Sequence, residues 1–420
     1  MNMRSLLRFN MEGSDESVSL LINISFVILL WSIFDSIMSY VTPTIITNHG
    51  FNDSEMGLIY ASSSVFGGIF DFILCNVLKN VNYRRLLLLL FIISAFFPIL
   101  MGIASTTFVF VLAMAVWGLY YDVMKFGVFD FVSKKIDHTD HASGFGALSI
   151  FKSIGYFIGP LVAGYIVLDG DNQINGLYMA FAFLVLSFVF YLVFLYKHRD
   201  HEVPHITHHN KKMPSKGELT LWIKIGKILL PVLIIIAFLN VIDAFFWTIG
   251  PLFIANTKGF SDYGGAFLSI YSISSLFSGF LVGKMVRKYG QKRSAFISLM
   301  MGAPFILLIG IIPNPLFILI AEFIGGSVIS FAWPSIDGAC ADYLEESSFY
   351  SKEINSITDF AANFGYVVGP ILAGVTAQVF GTQMSFASLG IAMFLCGALL
   401  LIYTPKQIRV VIHSDEKPIH

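Results

Sequence analysis

The sequence predicts an all-α membrane protein, with twelve transmembrane helices in two pseudo-symmetric six-helix bundles. Three observations predict it. The 420-residue chain is 56% hydrophobic and only 13% charged, whereas soluble domains carry about 25% charged residues. Its apolar residues fall into twelve runs, each long enough to cross a hydrocarbon core that takes about 20 helical residues. And the second half of the chain echoes the first at a nearly constant offset.

The runs lie near 18–46, 54–78, 86–105, 107–132, 143–168, 177–196, 228–254, 262–283, 294–312, 315–343, 354–379 and 383–403. Helices are the assignment because lipid leaves no backbone amide a partner outside the segment, and the runs are too long for barrel strands. The first run starts near Val18 and passes Leu30 without a small-residue cleavage site. It is expected to be a retained span, not a signal peptide. With the N-terminus inside, the inside segments hold 23 of the 26 Lys and Arg residues. That bias predicts both termini cytoplasmic. The expected organisation is a cytoplasmic tail at 1–17, a first bundle at 18–196, a cytoplasmic linker at 197–227, a second bundle at 228–403 and a tail at 404–420. A multi-pass protein of the plasma membrane, monomeric in the lipid bilayer, is the expectation.

The echo is specific. Asp35 stands eight residues before Pro43, and Asp243 stands eight before Pro251. GYFIGPLVAG at 155–164 returns as GYVVGPILAG at 365–374. Asp130, in VFD, is matched by Asp337, in SID. The basic turn after span two returns after span eight. Parallel six-span halves joined by a long inside linker are one layout of secondary transporters.

Other classes find no support. A net charge of −1 gives no bulk attraction to nucleic acid. Cys75, Cys340 and Cys396 lie in apolar runs and form neither a disulfide framework nor a metal spacing. The phosphate-binding G-x-x-x-x-G-K-[ST] pattern is absent, as are linear hydrolase and metalloprotease motifs. No enzyme activity, ATP drive, cofactor or metal is expected. The linker histidines His198, His201, His205, His208 and His209 read as a solvated loop, since Pro204 interrupts any helical ligand face.

The basic turns carry a family resemblance. Gly283, Arg287, Lys288, Gly290, Lys292 and Arg293 follow the G-x-x-x-D-R-x-G-R-R turn, with Arg287 at the acidic position. The first copy keeps Arg84 and Arg85 but has Asn80 for the acid. Over residues 18–403 the chain resembles the major facilitator superfamily. That resemblance implies two six-helix bundles around a central site, and a turn that locks the inward side through charge pairs. Gly155, Gly159, Pro160 and Gly164 are similar to the family's span-five signature of proton-driven exporters, the drug:proton antiporter-like branch. Gly365, Gly369 and Pro370 repeat it in span eleven. A plainer reading stands beside it: such glycines let helices approach closely and proline permits a bend, whichever way cargo moves.

An Asp or Lys at the centre of a span costs roughly 2.5–3.5 kcal/mol on insertion scales, so it usually faces a cavity or a partner. In the family, spans one, four, seven and ten line the cavity. By that resemblance Asp35, Asp122, Lys125 and Asp243 are the expected proton- and substrate-coupling groups. Asp122 and Lys125 share a helical face, and a structural ion pair is the alternative for them. Trp31, Asn240, Trp247, Lys152 and Glu322 are expected to line the cavity. An aromatic ring beside a carboxylate suits an organic cation, although aromatic packing is also usual in membrane helices. Asp71, Arg84 and Arg85 are expected at the inner gate, and Asp130, Asp337 and Asp359 in gate or structural pairs.

The function expected is secondary active transport of a small organic molecule, by proton-coupled export. The alternatives are an uptake symporter or facilitator for a sugar, acid or peptide, and a non-transporting sensor or membrane partner.

Overall fold

A computed structural model of the chain describes residues 15–77, 82–136, 140–167, 173–198, 216–257, 259–260, 263, 265–274, 276, 278–346 and 350–405. Residues 1–14 and 406–420, Lys79, Asn80, Lys258 and the linker histidines His201, His205, His208 and His209 lie outside the described residues.

Among the described residues the regular elements are all helices. In chain order the helices are α1 (Asp15–Asn48), α2 (Asp53–Val77), α3 (Tyr83–Ile103), α4 (Thr107–Lys135), α5 (His141–Val167), α6 (Gln173–Lys197) and α7 (Lys216–Asn256). They continue as α8 (Ala266–Ser274), α9 (Ser278–Tyr289), α10 (Gln291–Ile311), α11 (Pro315–Ile329), α12 (Ala332–Glu346), α13 (Ser351–Phe380) and α14 (Thr382–Tyr403). Every expected span is met by a helix. Span eight is built from α8 and α9, and span ten from α11 and α12. Among the described residues, ten spans are long and apolar enough to cross a membrane by length and composition.

The turns have local causes. Gly50 and Gly381 follow α1 and α13 with φ of 88° and 86°, the left-handed conformation that closes a helix C-terminus and that glycine adopts without a Cβ penalty. Gly259, the echo of Gly50, has φ 85° after α7. Helix α7 is longer than its apolar run: it begins at Lys216, twelve residues before the expected 228, and spans 41 residues. Helix formation outruns hydropathy here, because Lys, Glu and Leu are good helix formers in water as well as in lipid.

Two compact units are present. The first unit holds Met1–Lys211, Phe246–Leu276 and Pro370–Thr382. Within it α1 packs on α5 and α6, α4 on α2 and α3, and α5 on α8. The second unit holds Lys212–Phe245, Phe277–Gly369 and Gln383–His420, with α10 against α11 and α12.

The repeated glycines serve close helix approach. A Cβ at Gly155 or Gly159 would run into Ser32 and Ser36 of α1, and Ser36 Oγ donates to the Gly155 carbonyl at 3.2 Å. In the second unit a Cβ at Gly365 or Gly369 would strike Asn240 and Ala244 of α7. The first unit contains a second matched set. Gly57 of α2 abuts the Pro370 carbonyl of α13, and Gly265, just before α8, abuts the Pro160 carbonyl of α5. Gly57 and Gly265 are 208 residues apart, Pro160 and Pro370 are 210 apart, so these two contacts are one contact used twice.

The basic start of α3 is held by its neighbours. Asp130 Oδ2 accepts from the Tyr83 backbone N–H at 2.8 Å, which supplies one orphan amide of that helix with a partner. Lys134 pairs with the same carboxylate at 2.8 Å. Arg84 Nη2 donates to the His198 carbonyl at 2.6 Å, and Tyr191 donates to the Arg84 carbonyl.

Candidate functional site: a carboxylate cage and its echo

Asp35 sits midway along α1, wholly buried. Its Oδ1 accepts from Trp117 Nε1 at 3.2 Å and from the Tyr120 hydroxyl. Its Oδ2 lies within hydrogen-bond reach of the hydroxyls of Tyr121 and Tyr156, whose oxygens are also within reach of each other; with one proton each, the two phenols fill two of these three bonds at a time. Trp117, Tyr120 and Tyr121 fall at i, i+3 and i+4 of α4, one helical face. Tyr156 comes from α5. A single side chain thus ties three helices together. An ionised carboxylate offers about four lone-pair sites, and four donor groups surround this one.

Aromatic rings wall the cage. Trp31, one turn before Asp35, donates from Nε1 to Ser94 Oγ at 3.2 Å and meets Tyr120 edge-on at 5.6 Å. Trp117 stacks on Phe97 at 5.2 Å and meets Tyr60 at 4.9 Å. The Lys152 ammonium lies 5.9 Å from the Tyr121 ring centre and 5.5 Å from that of Tyr156, within cation–π range. Lys152 is partly exposed. Tyr156 packs edge-on against Trp247 of α7, at 5.4 Å.

The second unit holds a reduced copy. Asp243 of α7 accepts from the Tyr366 hydroxyl of α13 at 2.9 Å. Tyr366 follows Gly365 as Tyr156 follows Gly155. Asp243 is partly exposed, where Asp35 is buried. Asn240 is buried one turn earlier and donates to the Ile236 carbonyl at 2.8 Å.

The expected site residues therefore separate. Trp31, Asp35, Lys152 and Trp247 join one assembly in the first unit. Asn240 and Asp243 share one stretch of α7 in the second. Asp122 turns from the Asp35 cage toward α2, where its Oδ2 borders Gly67, and Gly118 on the same face abuts Ser63 and Gly67. Lys125 is exposed and Asp71 partly exposed. Glu322 is wholly buried in α11, with no hydrogen-bond partner for either carboxylate oxygen among the described residues. Arg85, Gly283 and Arg287 are exposed and Arg293 is partly exposed. Gly290, φ 80°, forms the turn between α9 and α10. Lys292 lies 5.9 Å from the Tyr343 ring centre. Gly164 is buried within α5. Among the described residues no group of three or more His, Cys, Asp or Glu side chains is placed to hold a metal ion.

Sequence reasoning missed Trp117, Tyr120, Tyr121, Tyr156 and Tyr366. For the last two a signal exists: both tyrosines lie inside the repeated GY-x-x-GP stretch, whose glycines alone enter the sequence argument.

This arrangement, membrane-crossing helices in a twofold repeat with acids held deep inside, defines the class as a multi-pass membrane transporter, and comparison with known proteins agrees. The model described as Major Facilitator Superfamily matches residues 20–352 and 265–418. The chain belongs to that superfamily and is an integral membrane protein of the secondary-transporter class, not an enzyme. No curated protein matches it. Similar solved structures include a bacterial homologue of the human lysosomal transporter Spinster, inward-facing and unoccupied, with a TM-score of 0.73 at 12% identity, covering 93% of this chain and 97% of that one. The peptide transporter POT in complex with sulfate has a TM-score of 0.72 at 14% identity, covering 97% of this chain and 99% of that one. The nucleoside transporter NupG has a TM-score of 0.65 at 13% identity, covering 92% of this chain and 100% of that one. At these identities the likeness is one of fold.

Proposed function

We propose that the protein moves a small organic molecule across the plasma membrane in exchange for protons, outward, by alternating access, as a monomer with both termini cytoplasmic. Asp35, Asp122, Lys125 and Asp243 are the charged groups of the path in this reading. The observation that carries it is the repeated acid: Asp35 and Asp243 occupy one position of the two halves, and each accepts from a tyrosine of the fifth span of its own half. Charges cost too much in lipid to be kept twice without a use.

The direction rests on the span-five signature, Gly155, Gly159 and Pro160. Close packing accounts for those glycines equally well, so uptake by symport is the second reading. A third reading, a non-transporting sensor, draws support from the buried cage around Asp35. The partly exposed Asp243 speaks for transport instead.

Flux decides among them. Liposomes holding the full-length protein receive a pH step and labelled organic cations, with protein-free liposomes as the baseline. Exchange for protons predicts accumulation in the acidic compartment. Accumulation in the alkaline compartment would establish symport. If no cation responds to the gradient beyond the baseline, the proton-coupled reading fails for that class of cargo.

A further inference from the structure

Glu322 is a deep acid to which the transport reading above gives no part. We propose that it is a proton-carrying site: its carboxyl holds a proton while α11 lies packed on α10, and gives it to water when α11 swings away. The use made of that proton rests on the proton-coupled reading above, while the site itself rests on the geometry of the second unit.

Glu322 has no exposed surface, and neither carboxylate oxygen has a hydrogen-bond partner among the described residues. It shares a helical face with Gly325 and Ile329, three and seven residues on. Both of these meet α10: a Cβ at Gly325 would run into Phe305 and Ile306, and a Cβ at Gly302 would run into Ile329. The carboxyl therefore belongs to an apolar seam between two helices. A carboxylate buried there with neither donor nor cation is far costlier than the neutral acid, so the group keeps its proton in this arrangement.

The charges of the neighbouring helices are remote. Helices α10 and α12 pack on α11. The cations of α10 are Lys292 and Arg293 in its first turn, and Arg293 lies twelve residues before Phe305, a rise of about 18 Å. The titratable groups of α12 begin at Asp337, fifteen residues past Glu322 and about 22 Å further along the span. Helix α14 packs on α10 through Ala387 and Gly390. Its titratable side chains are Cys396 and Tyr403, beyond those contacts, and it carries no Asp, Glu, Lys, Arg or His. Helix α11 has no second charged residue.

The repeat shows that packing needs no acid at this place. Gly325 lies against Phe305 as Trp117 lies against Phe97, and both members of the pair are shifted by 208 residues. In that register Glu322 answers to Met114 of α4, which is apolar and equally buried. A polar group buried without a partner lowers stability. The second half carries that cost where the first does not, as expected of a group kept for a use within the membrane.

The helix that bears Glu322 is also jointed. Helix α4 runs unbroken through 29 residues. Span ten instead stops after Ile329, turns at Ser330 and Phe331, and resumes at Ala332. This leaves α11 as a piece of 15 residues, with its joint eight residues beyond Glu322. Interrupted helices of this kind serve ion sites in transporters. A tilt of α11 about the joint admits water to the seam. The carboxyl O–H then breaks, its proton passes to water, and the carboxylate left behind resists reburial. Acid therefore favours α11 packed on α10, and alkali favours it parted.

Infrared spectroscopy of the full-length protein in lipid vesicles tests this without a cargo. The carbonyl stretch of protonated carboxyls is recorded between about pH 5 and about pH 10, a range that covers the carboxyl values found in proteins. Wild type minus Glu322→Gln is expected to show a band at the acid end and to lose it reversibly toward the alkaline end. Glu322→Met places the side-chain type of Met114 in the seam and is expected to give the same difference band, so the test survives if the glutamine variant fails to fold. No band at any pH means a permanently ionised Glu322 and overturns the inference. A band unchanged at the alkaline end, in protein whose circular dichroism stays native, means a proton that never leaves and overturns it too. Ile329→Ala loosens the seam and is expected to move the loss of the band to lower pH; an unmoved midpoint counts against the inference as well. Flux separates the two readings. A band that titrates without proton-coupled flux in wild type refutes the transport reading alone, and proton-coupled flux that survives in Glu322→Gln refutes this inference alone.

Discussion

At the scale of the residue, the Asp35 cage makes one side chain responsible for joining α1, α4 and α5. Asparagine in its place keeps the size but loses the charge and half the acceptors, and its amide NH₂ then faces two donors. Breaking a buried charged network by removing one partner typically costs about 3–5 kcal/mol. Asp35→Asn is therefore expected to lower the unfolding midpoint in detergent clearly. Tyr156→Phe removes one of four donor groups and leaves nothing orphaned, so its cost is expected at about 1.5–3 kcal/mol, that of a hydrogen bond to a charged group. Thermal unfolding by intrinsic fluorescence compares the two. Equal and negligible shifts would show that the cage holds nothing together. The acids at the centre of the site were legible in the sequence because lipid makes a charge conspicuous and the repeat made it conspicuous twice. Their donors were not. Aromatic residues abound in membrane helices, and which face of α4 meets α1 is a matter of packing register that one sequence does not carry.

At the scale of the element, the repeated glycines behave as fitted surfaces. Gly159→Val forces a branched side chain into Ser36 of α1, and overpacking of this kind costs about 1–3 kcal/mol or more. Gly283, inside α9, makes the contrast: a Cβ there meets nothing closer than an Arg287 guanidinium nitrogen at 3.8 Å. Gly283→Ala is expected to hold or raise stability by up to about 1 kcal/mol, the usual helix-interior difference. Unfolding midpoints of the two variants should move in opposite directions, although both glycines belong to motifs that look equally constrained on paper. Here the sequence was half legible. The spacing G-x-x-x-G marks a close approach, but the helix that approaches appears only in three dimensions.

At the scale of the molecule, the matched contacts of Gly57 with Pro370 and of Gly265 with Pro160 bring the two halves of the repeat together inside one compact unit. Ser54 on α2 stands beside them, its backbone N–H donating to Gln378 Oε1 of α13 at 3.2 Å. Alternating access requires such a seam to part in each cycle. A Ser54→Cys/Gln378→Cys pair, in a background without Cys75, Cys340 and Cys396, is expected to cross-link on oxidation, stop transport and recover it on reduction. Cross-linking with undiminished flux would show that this seam stays shut throughout the cycle. The twofold layout and the order of the spans were evident from hydropathy and repeat alone. The seam was not, because it depends on which conformation the chain adopts.

The unbroken run of α7 from Lys216 has a practical consequence. Twelve helical residues precede the expected start of the apolar run at position 228, a rise of about 18 Å. A small membrane protein is hard to orient in electron images, since little of it projects from the detergent belt. A helical soluble domain fused in register with this extension would inherit its direction from the spanning helix, and could act as a stiff handle by which particles are aligned.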